Sequence, residues 1–151
     1  MRTLVNHLVV EDLWAPPLLD GMTIAEVGDR FDGDLLGDDP HGAWTEASLA
    51  AADAVARPGV LSSRVHLSFG ESSGEEYLSQ LTCDHTIHAW DLARGIGADE
   101  RLDAELVEFA AAYLGPQLDG WRAAGAFGPP VDVPDDADAQ TRLLAMTGRR
   151  V

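Results

Sequence analysis

Residues 73–97 read SGEEYLSQLTCDHTIHAWDLARGIG. Ser73 with Glu76 three places on is a capping box, a helix start in which each side chain satisfies a backbone N–H of the other's turn. From there Tyr77, Leu78, Leu81, His85, His88 and Leu92 recur at three and four, until Gly95 and Gly97 supply the stop. One long helix is expected. Within it, residues 83–91 offer Cys83, Asp84, His85, His88 and Asp91, a thiol, two carboxylates and two imidazoles in nine residues. Such a run is either half of a metal site or the solvated face of the helix, and only a distant partner can separate the two.

The segments around it are also helical. Leu4, Val5, Leu8 and Val9 repeat at helical spacing up to Leu13, and Pro16 and Pro17 are expected to stop that first helix. Residues 20–39 are rich in Gly and Asp, with a turn or two of helix after the capping box Thr23 to Glu26. Their acidic residues do not alternate before the Gly as in a calcium loop, and no Glu closes the run, so they read as a solvated loop. Asp39 before Pro40 caps a second helix, about residues 40–57, with Trp44, Ala47, Ala51, Ala54 and Val55 on its inner side. Val65, Leu67 and Phe69 alternate with Arg64, His66 and Ser68, the period of one short strand ending at Gly70. Leu102, Leu106, Phe109 and Tyr113 mark a further helix, interrupted at Gly115 and Pro116 and continuing through Trp121. A proline-punctuated tail carries a short helix around Gln140 to Met146. The expected fold is mostly α, a helical bundle with one short strand or hairpin and an irregular C-terminal tail.

A chain of 151 residues suits one domain, so residues 1–151 are expected to share a single core. A formal charge of -16 repels nucleic-acid phosphate and anionic lipid headgroups, which argues against both partners. The single Cys83 cannot form an intramolecular disulfide, and the N-terminal apolar run is broken by Asn6 and His7 rather than continuing as a signal peptide. No window holds the roughly 20 apolar residues of a membrane span. A cytoplasmic protein is the expectation.

On a helix, residues four apart stand one turn above each other, so Asp84 and His88 share a face and can reach one cation together. Asp91 falls close to the same line. His85 points about 100° away from Asp84, toward the stripe of Leu78, Leu81 and Leu92. A catalytic divalent metal commonly takes three protein ligands and keeps the next position open. The third must come from elsewhere in the chain. His41 and His66 occupy ordinary solvent positions, whereas His7 lies within or beside the apolar seam of the first helix. An imidazole there is either a ligand or a buried side chain satisfied by a carboxylate or carbonyl.

The segments LVNHLV, DDPHGAW, LTCDHTIHAWDLARGIG and GAFGPPVDVPDDADAQTRLLAMTGRR resemble the actinobacterial metal-binding branch of the DinB-like superfamily, which includes mycothiol-dependent maleylpyruvate isomerases. The resemblance covers nearly the whole chain. Its most specific elements are the His of the opening helix, the carboxylate-x-x-x-His-x-Trp-Asp-Leu-Ala run, and the closing Phe127 to Pro129 with Gly148 and Arg149. The resemblance implies a metal held by His7, Asp84 and His88. Relatives carry another helix before LVNHLV, so a bundle lacking its usual first helix is expected. His85 stands where the family is usually apolar, and it and Asp91 could act in acid-base chemistry or support the ligands.

These likenesses imply a transferase or isomerase that uses a low-molecular-weight, mycothiol-like thiol against an electrophilic small molecule. A coordinated thiol loses its proton well below its ordinary value near 8.5. Cys83 lies about 100° from Asp84 around the helix and is expected to pack rather than react. A non-catalytic metal-binding or interaction module is the alternative from another class, and a metallohydrolase, in which the metal activates water, is a weaker one. Imidazole and carboxylate ligands suit zinc, nickel, iron or manganese, with zinc first by family likeness. The seam of Leu4, Val5, Leu8 and Val9 needs a cover, and a homodimer burying two such stripes would supply it.

Overall fold

The computed structural model describes residues 1–151 and is mostly helical with one two-stranded hairpin. The chain divides into two compact units, Met1–Leu81 and Thr82–Val151. The division falls inside a helix rather than in a linker.

In the first unit, helix α1 (Arg2–Leu19) packs against helix α3 (Pro40–Val55), with the single-turn α2 (Ile24–Val27) between them in sequence. The prolines expected to stop α1 lie inside its last turn. Leu18 and Leu19 are buried beyond them, in a cluster with Ala15, Ala51, Ala54, Val60, Val65 and Tyr77, and the Pro16 and Pro17 carbonyls accept from Asp20 and Met22. A proline removes a donor but keeps a helical φ, so the turn survives where burial rewards it. Val9, Leu36 and Ala47 form a second cluster, with Val5, Leu13, Leu35 and Ala43 around it. The capping box Thr23 to Glu26 is present in both directions, and the Asp39 side chain caps α3 at Gly42 N. Trp44 stands at the rim, 39% exposed, because the small side chains Ala47, Ala51 and Ala54 make the contact face.

Strands β1 (Arg64–Leu67) and β2 (Gly70–Ser73) pair antiparallel, Val65 opposite Ser72. The expected strand therefore stops at Leu67, and Phe69 sits in the turn, 65% exposed rather than inward. Ser73 Oγ accepts from Glu76 N at 3.1 Å and starts helix α4 (Gly74–Ile96) where the capping box placed it. Gly74 is required there: a Cβ would come within 1.9 Å of the Val60 carbonyl oxygen.

In the second unit α4 continues, followed by α5 (Ala104–Leu114), a 3₁₀ turn at Gly115–Gln117, α6 (Leu118–Ala123) and α7 (Ala139–Met146). Cys83, Ile87, Val107, Ala110, Leu114 and Leu143 form its core. The buried face of α5 is Val107, Ala110 and Leu114, while Leu106 and Phe109 are 43% and 42% exposed. The apolar stripe read from the sequence through Leu106 and Phe109 is thus rotated by about 100°. Small Ala110 admits the neighbouring side chains that Phe109 would exclude. No helix is long and apolar enough to cross a membrane.

Candidate metal site

Helix α1 carries His7 one turn before Glu11, its Nδ1 3.7 Å from Glu11 Oε1. Leu8 and Val9 turn into the core, and His7 stands beside them with its side chain 38% exposed. It lies on the flank of the seam, where an imidazole keeps access to ligands and solvent.

On α4 the spacing read from the sequence holds. His88 Nε2 is 3.4 Å from Asp84 Oδ1, and on the other side of the ring His88 Nδ1 is 2.8 Å from Asp91 Oδ2. The first is a hydrogen bond at the long end of the range. It fits two donors of one tetrahedral zinc ion, whose bonds of about 2.0–2.2 Å place them about 3.3 Å apart. The second is a short charge-assisted hydrogen bond that fixes the ring from its Nδ1 side and turns Nε2 toward Asp84.

Asp91 is held in turn by Arg149. The guanidinium donates from Nη2 to Oδ2 at 2.7 Å and from Nε to Oδ1 at 3.1 Å, a bidentate pair. The closing motif explains how a tail residue reaches this place. After α7, Gly148 adopts φ +88°, Gly148 N donates to Ala145 O and Arg149 N to Leu144 O, the two bonds of a Schellman ending. Gly148 backs onto Gly128 and Pro129, so the Phe127 to Pro129 segment and the Gly148–Arg149 pair meet in space. Thr147, buried at the helix end, bonds its hydroxyl to the Leu143 and Leu144 carbonyls.

These contacts set the charges. Burial draws the His88 imidazolium down, yet hydrogen bonds to Asp84 and Asp91 and their charges outweigh it and lift the group to about 9. Burial raises the Asp91 carboxyl, but His88 and Arg149 hold it down to about 2. Without a metal, His88 is therefore a cation between two carboxylates at neutral pH.

His7, Asp84 and His88 each offer one ligand atom, and the three form a group that could hold a metal ion. All three are half-buried, and nitrogen and oxygen donors of this kind suit the borderline divalent metals. His85, also half-buried on α4, is not in the group. Asp91 belongs to the site through His88. The sequence reading did not pick out two residues beside this group, Glu11 next to His7 and Arg149 on Asp91. The first could have been found by i,i+4 spacing from His7, whereas the second needs the fold of the tail. Cys83 is buried in the second unit's core, as expected of a packing residue.

Comparison with family models, with curated proteins and with solved structures finds no match for this chain.

Proposed function

We propose that the chain is a divalent-metal-dependent enzyme of the DinB-like, thiol-using kind, a transferase or isomerase in which His7, Asp84 and His88 hold the ion. The observation that carries the reading is the disposition of His88: Nδ1 hydrogen-bonded to Asp91, and Nε2 3.4 Å from Asp84, a spacing at which the two could share one ion in place of a proton. His7 completes a set of three whose ligand atoms all lie within 4.8 Å of one another. When bound, the metal would supply a lowered thiol pKa, so that a mycothiol-like cosubstrate presents a thiolate to an electrophilic carbon.

The chain's own part in this is positional and electrostatic. Asp91, kept ionised by Arg149, holds His88 with Nε2 toward Asp84. Asp84 adds the negative charge that favours a dication over a proton. The donor set suits zinc, nickel, iron or manganese, and zinc comes first only by the family likeness. The other reading, a non-catalytic metal-binding module, shares the ion and lacks the thiol.

Metal analysis of chelator-free protein should find about one divalent ion per chain, and His88→Ala should abolish it. Full occupancy after replacing His7, Asp84 and His88 together would defeat the assignment. With metal bound, a thermal-shift screen of low-molecular-weight thiols separates the two readings: a thiol that raises Tm only in the metal-loaded protein supports the enzyme, and no response to any thiol supports the module.

A further inference from the structure

The two imidazoles of the proposed set are treated alike by their helices. Asp91, three residues after His88 on α4, faces His88 Nδ1 at 2.8 Å. Glu11, four residues after His7 on α1, faces His7 Nδ1 at 3.7 Å. In each case a carboxylate one turn toward the C-terminus stands on the Nδ1 side of the ring. The Glu11 side chain is 35% exposed, so it is neither locked in the core nor free in solvent. It also lies near the buried Tyr77, whose phenol is pushed up by burial and then by the charges of Glu11 and Asp12.

Resting on the metal-site reading above, we propose that Glu11 is the positioning residue of His7: its carboxylate accepts a hydrogen bond from Nδ1–H and presents Nε2 to the ion. At 3.7 Å the bond is not closed, and a side-chain shift of about 1 Å closes it to the ordinary length. Binding an ion at Nε2 makes the Nδ1 proton more acidic and strengthens its attraction to a carboxylate, so closure accompanies metal binding. The pairing has two effects. It selects the Nδ1–H tautomer, the one that leaves Nε2 as the donor, and it removes part of the rotational freedom that His7 otherwise loses on binding. An ordinary surface Glu–His pair would have neither consequence for a metal.

The test is a competition titration of zinc, and of cobalt(II) with its visible spectrum, against a chelator of known affinity. It uses the full chain and its Glu11→Ala, Glu11→Gln and His88→Ala variants. Glu11→Ala should weaken zinc about 10- to 100-fold, the usual effect of removing a carboxylate that orients a histidine ligand. It should also change the cobalt spectrum and leave the Tm of the metal-free protein unchanged. Glu11→Gln, whose amide oxygen still accepts from Nδ1–H, should restore affinity to within about fivefold of the parent. Zinc affinity of Glu11→Ala within about threefold of the parent, or Glu11→Gln as weak as Glu11→Ala, overturns the proposal. His88→Ala tells this failure from failure of the site: if that variant keeps its zinc, the metal reading itself is wrong, and if it loses zinc while Glu11→Ala does not, only the role of Glu11 falls.

Discussion

His88 Nδ1 and Asp91 Oδ2 lie 2.8 Å apart, and Arg149 Nη2 donates to the same oxygen at 2.7 Å while its Nε donates to Oδ1 at 3.1 Å. Three charged groups thus run in sequence from Arg149 through Asp91 to the ring of His88, whose Nε2 is the proposed ligand atom. Asp91 makes no contact with the proposed ion in this arrangement and acts only through the ring. Asp91→Ala is expected to reduce zinc affinity about 10- to 100-fold, read by chelator competition, because His88 loses both its tautomer preference and its orientation. Arg149→Ala should do the same more weakly, since Asp91 keeps its bond to His88. Equal affinity in all three proteins would show that the line is structural.

The same contacts give metal binding a pH dependence. His88 titrates at about 9 without metal, so below that value an incoming ion must displace a proton. Affinity should fall about tenfold for each pH unit below 9 on this account, about a hundredfold between pH 8 and pH 6. A titration showing constant affinity over that range removes His88 from the ligand set.

Stability of the metal-free protein should run the other way. A histidine whose pKa rises from 6.5 to about 9 on folding contributes stability that is fully present below pH 6.5 and lost as pH rises through 9. Asp91, lowered from 3.8 to about 2, contributes stability that is present above pH 3.8 and lost as pH falls through 2. Chelated protein should therefore show its highest Tm between those windows. In His88→Gln the alkaline decline should shrink, which scanning calorimetry in the presence of chelator can read.

The helix that carries Asp84, His88 and Asp91 was legible because its signals are local: a capping box at one end, glycines at the other and a 3.6-residue stripe between. The Asp84–His88 pairing followed from that periodicity alone. Three other features depend on packing and were not legible. Pro16 and Pro17 are breakers in isolation, but Leu18 and Leu19 are buried beyond them and the helix runs on. The buried face of α5 was misread because its large side chains suggest the core, while the contact is made by Val107, Ala110 and Leu114. Arg149 stands 58 residues from Asp91, and nothing in the spacing of the two tells of their bidentate pair.

The homodimer argued from the first helix has a narrower basis in the structure. Leu8 and Val9 are buried within the chain, and Val9 packs with Leu36 and Ala47. Met1 remains 52% exposed, and Leu4 and Val5 are half-buried. If this flank meets its copy, light scattering at micromolar concentration should give the mass of two chains, and Leu4→Glu should give that of one. A single-chain mass for the parent means that α3 and the Leu35–Leu36 segment are cover enough.

Gly148 offers a test that joins fold and site. Its φ of +88° is one that side chains resist, and a Cβ there would lie 3.2 Å from Gly128 Cα and from the Pro129 carbonyl oxygen. Both neighbours are backbone and cannot swing aside as a flexible side chain would. Gly148→Ala should therefore destabilise the protein by at least about 1–2 kcal/mol, the strain of a left-handed residue before any displacement of the tail. Relief would come by moving Gly148 away from Gly128, which carries Arg149 off Asp91. The variant should consequently lose zinc affinity as well as stability, although residue 148 touches neither ligand nor ion. Arg149→Ala separates the two effects, because it removes the guanidinium and leaves the Schellman ending in place. A Gly148→Ala protein with lowered Tm and parental zinc affinity would mean that Asp91 holds His88 without help from the tail.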